Sequence, residues 1–95
     1  MPAYIIVDIT ITDLAGYEAY KPQAAASIAA YGGRYLVRGG PATVLEGDWQ
    51  PGRLVILEFP DTATAQRWLE SEEYRGPRAL RQATATSHMV LVPGI

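Results

Sequence analysis

Residues 4–11 read Tyr-Ile-Ile-Val-Asp-Ile-Thr-Ile, a β-branched run that is apolar at nearly every position. A strand with apolar residues on both sides of its two-residue repeat has to be covered on both faces, so this run predicts a central strand. Whatever the chain folds into must supply a layer above that strand and a layer below it.

The residues that follow supply one layer. Asp13 offers an N-cap, and Leu14, Tyr17, Tyr20, Ala24, Ile28 and Tyr31 recur at helical spacing up to a stop at Gly32-Gly33. Pro22 falls inside this pattern and has no N–H to give the preceding turn, which predicts a break or kink near Tyr20 and Lys21. Residues 34–38 (Arg-Tyr-Leu-Val-Arg) read as a second strand ended by Gly39-Gly40-Pro41, and residues 54–59 (Leu-Val-Ile-Leu-Glu-Phe) as a third. The connection between them, residues 42–52 with Val44, Leu45 and Trp49, is too long for a tight hairpin and reads as an extended arm or a functional loop. Asp61 or Thr62 caps a second helix with Ala65, Trp68 and Leu69 turned inward; Gly76-Pro77 is expected to break it before a short helical piece over residues 78–82. A polar Ala-Thr stretch then leads into a fourth strand at residues 89–92.

The order strand, helix, strand, strand, helix, strand is that of an α+β, ferredoxin-like βαββαβ sandwich: one antiparallel four-stranded sheet with two helices on one face. Both crossovers are right-handed, which puts both helices on the same side. In the third strand Val55, Leu57 and Phe59 share one side and Leu54, Ile56 and Glu58 the other, so both sides are rich in apolar atoms. The helix-free side is therefore a liability for a monomer. A second copy of the chain would cover it and close a dimeric α/β barrel.

Size and charge agree with that scheme. Ninety-five residues, 48% of them apolar, make a single domain over residues 1–95. A domain this short buries only about 60–65% of the surface its unfolded chain exposes, so self-association adds contacts it needs. Eight basic against ten acidic residues give a net charge of −2, without the basic stripe that phosphate backbones require, so nucleic acid is not an expected partner. The absence of cysteine removes thiolate nucleophiles, thiolate metal sites and disulfides. No stretch approaches the roughly 18 apolar residues of a membrane span and residues 1–10 lack the features of a signal peptide, which leaves a cytoplasmic, membrane-free address as the expectation.

The segments Tyr31-Gly32-Gly33-Arg34, Val37-Arg38-Gly39-Gly40, Leu45-Glu46-Gly47, Leu57-Glu58-Phe59-Pro60 and Trp68-Leu69-Glu70-Ser71-Glu72-Glu73-Tyr74 together resemble the domain-of-unknown-function family DUF1330 over essentially the whole chain. The resemblance implies a homodimer of the dimeric α/β-barrel superfamily, whose other branches include cofactor-independent monooxygenases, haem proteins similar to chlorite dismutase and small degradative isomerases. It implies no settled activity and carries over no catalytic residue.

The residues themselves offer several candidates. Asp8 and Glu58 are carboxylates within central strands, and either could face the barrel interior. A carboxyl buried among apolar groups has a raised pKa and can serve as acid or base; alternatively Glu58 pairs with Arg34 or Arg38 on the neighbouring strand. Arg38 precedes two glycines that let a ligand or another backbone come close, and it suits a carboxylate; the same glycines also suit a plain turn. Tyr17, Tyr20, Trp49, Trp68 and Tyr74 each combine an apolar body with a polar tip and could line a cleft, although aromatics at helical spacing also serve cores and interfaces. His88, the only histidine, opens the last strand; alone it makes no recognisable metal site. Arg75, Arg78 and Arg81 repeat every three residues and would form an anion-binding stripe if Gly76-Pro77 did not interrupt them, while Glu70, Glu72 and Glu73 suggest ordinary surface pairing. No phosphate loop, nucleophile elbow or dinucleotide fingerprint is present, so no cofactor is expected.

Three readings follow. In the first, a homodimer binds a small, partly aromatic or acidic metabolite through Tyr17, Tyr20, Arg38, Trp49 and Glu58. In the second, a cofactor-independent enzyme of monooxygenase or isomerase type uses Glu58 or His88 as base and Arg38 to stabilise an anion. In the third, the same residues form a dimer interface of a non-catalytic accessory protein.

Overall fold

The computed structural model describes residues 1–95. Seven elements follow in order: β1 (Ala3–Ile11), α1 (Leu14–Ala30), β2 (Arg34–Arg38), β3 (Arg53–Phe59), α2 (Thr62–Leu69), α3 (Glu72–Thr84) and β4 (Ala85–Pro93). The four strands form one antiparallel sheet in the order β2-β3-β1-β4, the ferredoxin-like arrangement, with β1 at its centre as its sequence requires. The molecule measures 35 × 33 × 16 Å, a slab whose thickness accommodates one sheet and one helical layer.

The helical layer buries one face of the sheet. Ile5, Val7 and Ile9 of β1 and Val55, Leu57 and Phe59 of β3 pack under Tyr17, Tyr20, Ala24 and Ile28 of α1 and under Trp68 and Tyr74. Trp68 is the largest of these fully buried side chains. Its ring lies 4.1 Å from that of Tyr74 and 5.3 Å from that of Phe59, and its Nε1 donates to Ser27 Oγ at 3.0 Å. The Ser27 hydroxyl in turn donates to the Ala24 carbonyl at 2.8 Å, so the indole N–H has a fixed partner inside the core. No helix is long and apolar enough to cross a membrane.

Local rules placed two helix breaks where there are none. α1 runs unbroken through Pro22, because Pro22 sits on the exposed side of a helix held down by Tyr17, Tyr20, Ala24, Ser27 and Ile28. On that side the carbonyl left without a donor is open to solvent. Leu14, at the head of the expected stripe, is 64% exposed. The second helical segment divides at Glu70-Ser71, not at Gly76-Pro77: Ser71 accepts from Tyr74 N at 3.1 Å and caps α3, which then runs through Pro77 with Tyr74, Pro77, Arg81 and Thr84 buried. Asp13 and Asp61 cap α1 and α2 as expected, accepting from Gly16 N and Thr64 N at 3.2 and 2.7 Å.

β4 begins four residues earlier than its apolar run. Ala85 to Pro93 pair with β1 through Ile11 to Ala3, so the polar Ala-Thr stretch is strand, and His88 lies within β4, opposite Asp8. An edge strand with one open face tolerates that polarity.

Candidate functional site

The second strand is bulged, and the bulge decides what Arg38 faces. Arg34 pairs with Glu58 and Tyr35 with Leu57, but Val37 pairs with Ile56 and Arg38 with Val55, leaving Leu36 unmatched. One extra residue reverses the alternation. Arg34 therefore stands on the open face beside Glu58, while Tyr35 and Arg38 both turn to the helix side. Without the bulge, Arg34 and Arg38 would share a side.

On the helix side Arg38 meets a cavity between sheet and helices, lined also by Tyr17, Tyr20, Tyr35, Arg53 and Arg81. The cavity volume is about 30 Å³, room for one or two water molecules. Eleven of its fifteen lining residues are hydrophobic and none is a carboxylate. The Arg38 guanidinium stacks on the Tyr35 ring at 4.3 Å and that of Arg53 lies 5.8 Å from the Tyr17 ring. Tyr20 and Tyr74 join hydroxyls at 2.7 Å. Burial pushes the Tyr17, Tyr20 and Tyr35 phenols up, and for Tyr20 the neighbouring Tyr74 adds to it, so all three stay protonated at neutral pH.

The room expected beside Gly39-Gly40 is partly taken by the chain itself. Gly39 has φ +78°, and the place its Cβ would occupy holds the Arg53 side chain; Gly40 has no neighbour there. Gly39 thus permits both a left-handed turn and the seating of Arg53.

The other sequence candidates lie across the sheet. Glu58 accepts from Arg34 Nε at 2.7 Å, and that contact holds its carboxyl below the ordinary range instead of raising it. Asp8, on the same face, accepts from Trp49 Nε1 and from Gly52 N, both at 2.9 Å, and these two bonds lower its pKa also. The Trp49 bond explains the long connection: residues 39–52 contain no helix or strand, and Asp8 fastens their C-terminal end to the open face. His88, Trp49 and Asp8 border one depression there with Ile6 and Val90. Within one chain, then, Tyr17, Tyr20 and Arg38 are brought together, whereas Trp49, Glu58 and His88 are on the opposite side. The sheet separates Arg38 from both carboxylate and histidine bases assigned to it, and Glu58 lacks the raised pKa that role requires.

Sequence reasoning missed Tyr35, Arg53 and Arg81 as cavity residues. Arg53 was within reach: starting the third strand one residue earlier gives it the parity of Val55 and Leu57.

Three carboxylates are held low by hydrogen bonds, Asp8, Glu58 and Asp61, the last by Thr64 N–H. A folded-state pKa below the unfolded value adds stability that is present above the unfolded pKa and lost as pH falls through the folded one. The unfolded values are 3.8 for aspartate and 4.5 for glutamate. The urea midpoint should therefore be flat from neutrality down to about pH 5 and fall below about pH 4. The double variant Asp8→Asn, Glu58→Gln should show a shallower acid fall; an acid limb as steep as that of the parent would exclude these two groups as its source.

A family model described as a domain of unknown function, DUF1330, matches residues 2–95. Among solved structures, a protein of unknown function from Rhodopseudomonas palustris superposes with a TM-score of 0.81 at 19% identity, covering 99% of this chain and 82% of that one. SnoaB, a cofactor-independent oxygenase from Streptomyces nogalater, gives 0.69 at 18% identity over 99% and 93% of the two chains. A dimeric ferredoxin-like protein of unknown function from Jannaschia sp. CCS1 gives 0.68 at 13% identity over 99% and 100%. At these identities the likeness concerns the fold alone. No curated protein matches the chain. The model match over residues 2–95, on a ferredoxin-like sheet of the expected strand order, places the chain in the DUF1330 family.

Proposed function

We propose that this protein acts as a homodimer that binds a small, partly aromatic or acidic metabolite in the cavity between α1 and the sheet. The observation that carries the reading is the lining of that cavity: three tyrosines kept protonated, with Arg38 and Arg53, among apolar walls and with no carboxylate to neutralise them. Phenol donors and guanidinium groups suit an aromatic body bearing an anionic group. At about 30 Å³ the cavity must widen to admit such a molecule, and displacing the exposed Arg38 from the Tyr35 ring is one way to open it. The open sheet face supplies the dimer half of the reading. Ile6, Ile56, Val90 and Val92 lie on it without a covering layer, and Val90 and Val92 are 58% and 41% exposed. A dimeric relative of the same fold supports a second copy as the cover.

An enzyme of the cofactor-independent oxygenase kind, the activity named for SnoaB, would need a proton acceptor beside its substrate. The cavity offers phenols shifted upward and arginines, neither of which accepts a proton at neutral pH, so binding is the reading favoured.

Thermal unfolding with benzoate, salicylate and 4-hydroxybenzoate tests it. At ten times its Kd a ligand adds about 1.4 kcal/mol, a rise of several degrees for a domain this size. At least one of these acids should raise Tm in that way, and Arg38→Gln should remove most of the rise. No shift with any of the three, or equal shifts in parent and variant, would overturn the assignment to this cavity.

A further inference from the structure

α3 is continuous, so the interruption that would have dispersed Arg75, Arg78 and Arg81 does not exist. Arg75 reaches Glu72 at 3.3 Å, an ordinary surface pair. Arg78 and Arg81 do otherwise. Neither makes an ion pair or a side-chain hydrogen bond, and the Nε of each is buried without a partner. Arg78 also borders an open depression with Glu70 and Glu72 but bonds to neither. Arg81 is 7% exposed, a permanently charged group deep in the fold with nothing to balance it. A third orphan, Ser87 Oγ of β4, is buried and unbonded as well.

All three line one groove between α2, α3 and β4, with a volume of about 490 Å³. Half of the twelve lining residues are hydrophobic, Ile5, Leu69, Met89 and Leu91 among them, and no carboxylate is present. Arg81 forms a wall between this groove and the cavity of Arg38, but the groove lies on its far side and shares little else with it. Buried donors without acceptors are costly, charged ones most of all, and persist where something else completes them. A planar carboxylate matches the guanidinium edge and can also accept from a hydroxyl.

We infer that the groove between α2, α3 and β4 is a binding site for a small organic carboxylic acid, its head held by Arg78, Arg81 and Ser87 and its aliphatic part laid on Ile5, Met89 and Leu91. This site lies across Arg81 from the cavity of the proposed function, with which it shares only Arg81 and Met89, and it does not depend on that reading.

The test is an NMR titration of the full chain with hexanoate and with hexanamide, its uncharged counterpart, following the backbone amides of Gln82, Thr86 and Ser87. Hexanoate should shift these signals saturably within about 20 mM, enough to fill a site of about 1 mM Kd, and hexanamide should bind at least tenfold more weakly. Arg78→Gln and Ser87→Ala, both at positions outside the packed core, should each weaken hexanoate at least fivefold, while Arg38→Gln leaves it unchanged. Arg81→Met should abolish binding without lowering Tm, because it removes an unpaired buried charge. Equal binding of acid and amide, hexanoate affinity within twofold of the parent in both Arg78→Gln and Ser87→Ala, or no saturable shift would overturn the assignment.

Discussion

Trp68→Ala should cost about 3–5 kcal/mol, the usual range for emptying a large aromatic site in a core. Three losses coincide at this residue. The indole is 1% exposed, so its full apolar area is buried. Its removal takes the packing partner from Tyr74 at 4.1 Å and from Phe59 at 5.3 Å. It also leaves Ser27 Oγ without the donor it has at 3.0 Å. Domains of this size have roughly 5–14 kcal/mol in all, so the variant should lose between a fifth and nearly the whole of its stability. Tm should fall by roughly 15–30 °C. Trp68→Phe should lose clearly less, since it keeps a ring between Tyr74 and Phe59 and gives up mainly the N–H. Chemical denaturation of the two variants beside the parent checks this; a loss under about 1 kcal/mol for the alanine variant would mean that α2 contributes little to the core.

The second large effect concerns association. Ile56 lies mid-strand in β3 on the open face, flanked across the sheet by Ile6 and Val37. In a monomer this position meets water, so Ile56→Lys should leave folding nearly intact. In a face-to-face dimer it falls within the apolar interface, where an unpaired ammonium is costly. The dimer dissociation constant should rise at least a hundredfold, about 2.8 kcal/mol. Sedimentation velocity across a dilution series reads this directly, and a variant that dimerises like the parent would place the interface elsewhere.

The parts of the fold that could be read in the sequence are those fixed by strong periodic signals. The all-apolar run of β1 marked the sheet centre, and Asp13 and Asp61 marked helix starts through caps that need only a few residues. Proline was misleading for a definite reason. Its effect is local, and the buried faces of α1 and α3 outweigh it when the lost N–H costs one hydrogen bond and the face keeps several side chains buried. β4 was cut short because an edge strand bears polar residues such as Thr86 and His88 on the side away from the helices.

The site was less legible than the fold. Tyr17 and Tyr20 followed from helical spacing, and in the fold they line one cavity with Arg38. But the bulge at Leu36 has no signature in Arg-Tyr-Leu-Val-Arg, and it alone turns Arg38 away from Glu58. The pairing of Glu58 with Arg34 was one of the two sequence readings, and the geometry selects it. Trp49, named among the aromatics that could line a cleft, fastens the loop to Asp8, a contact 41 residues apart that no local pattern reveals.

A dimer through the open sheet face and a small molecule held on the helix side can be observed in one experiment. Native mass spectrometry of gently purified protein, set against the denatured mass, reads both together. The expected species has twice the chain mass with an additional small-molecule increment that is lost on denaturation. A species of single-chain mass would contradict that expectation.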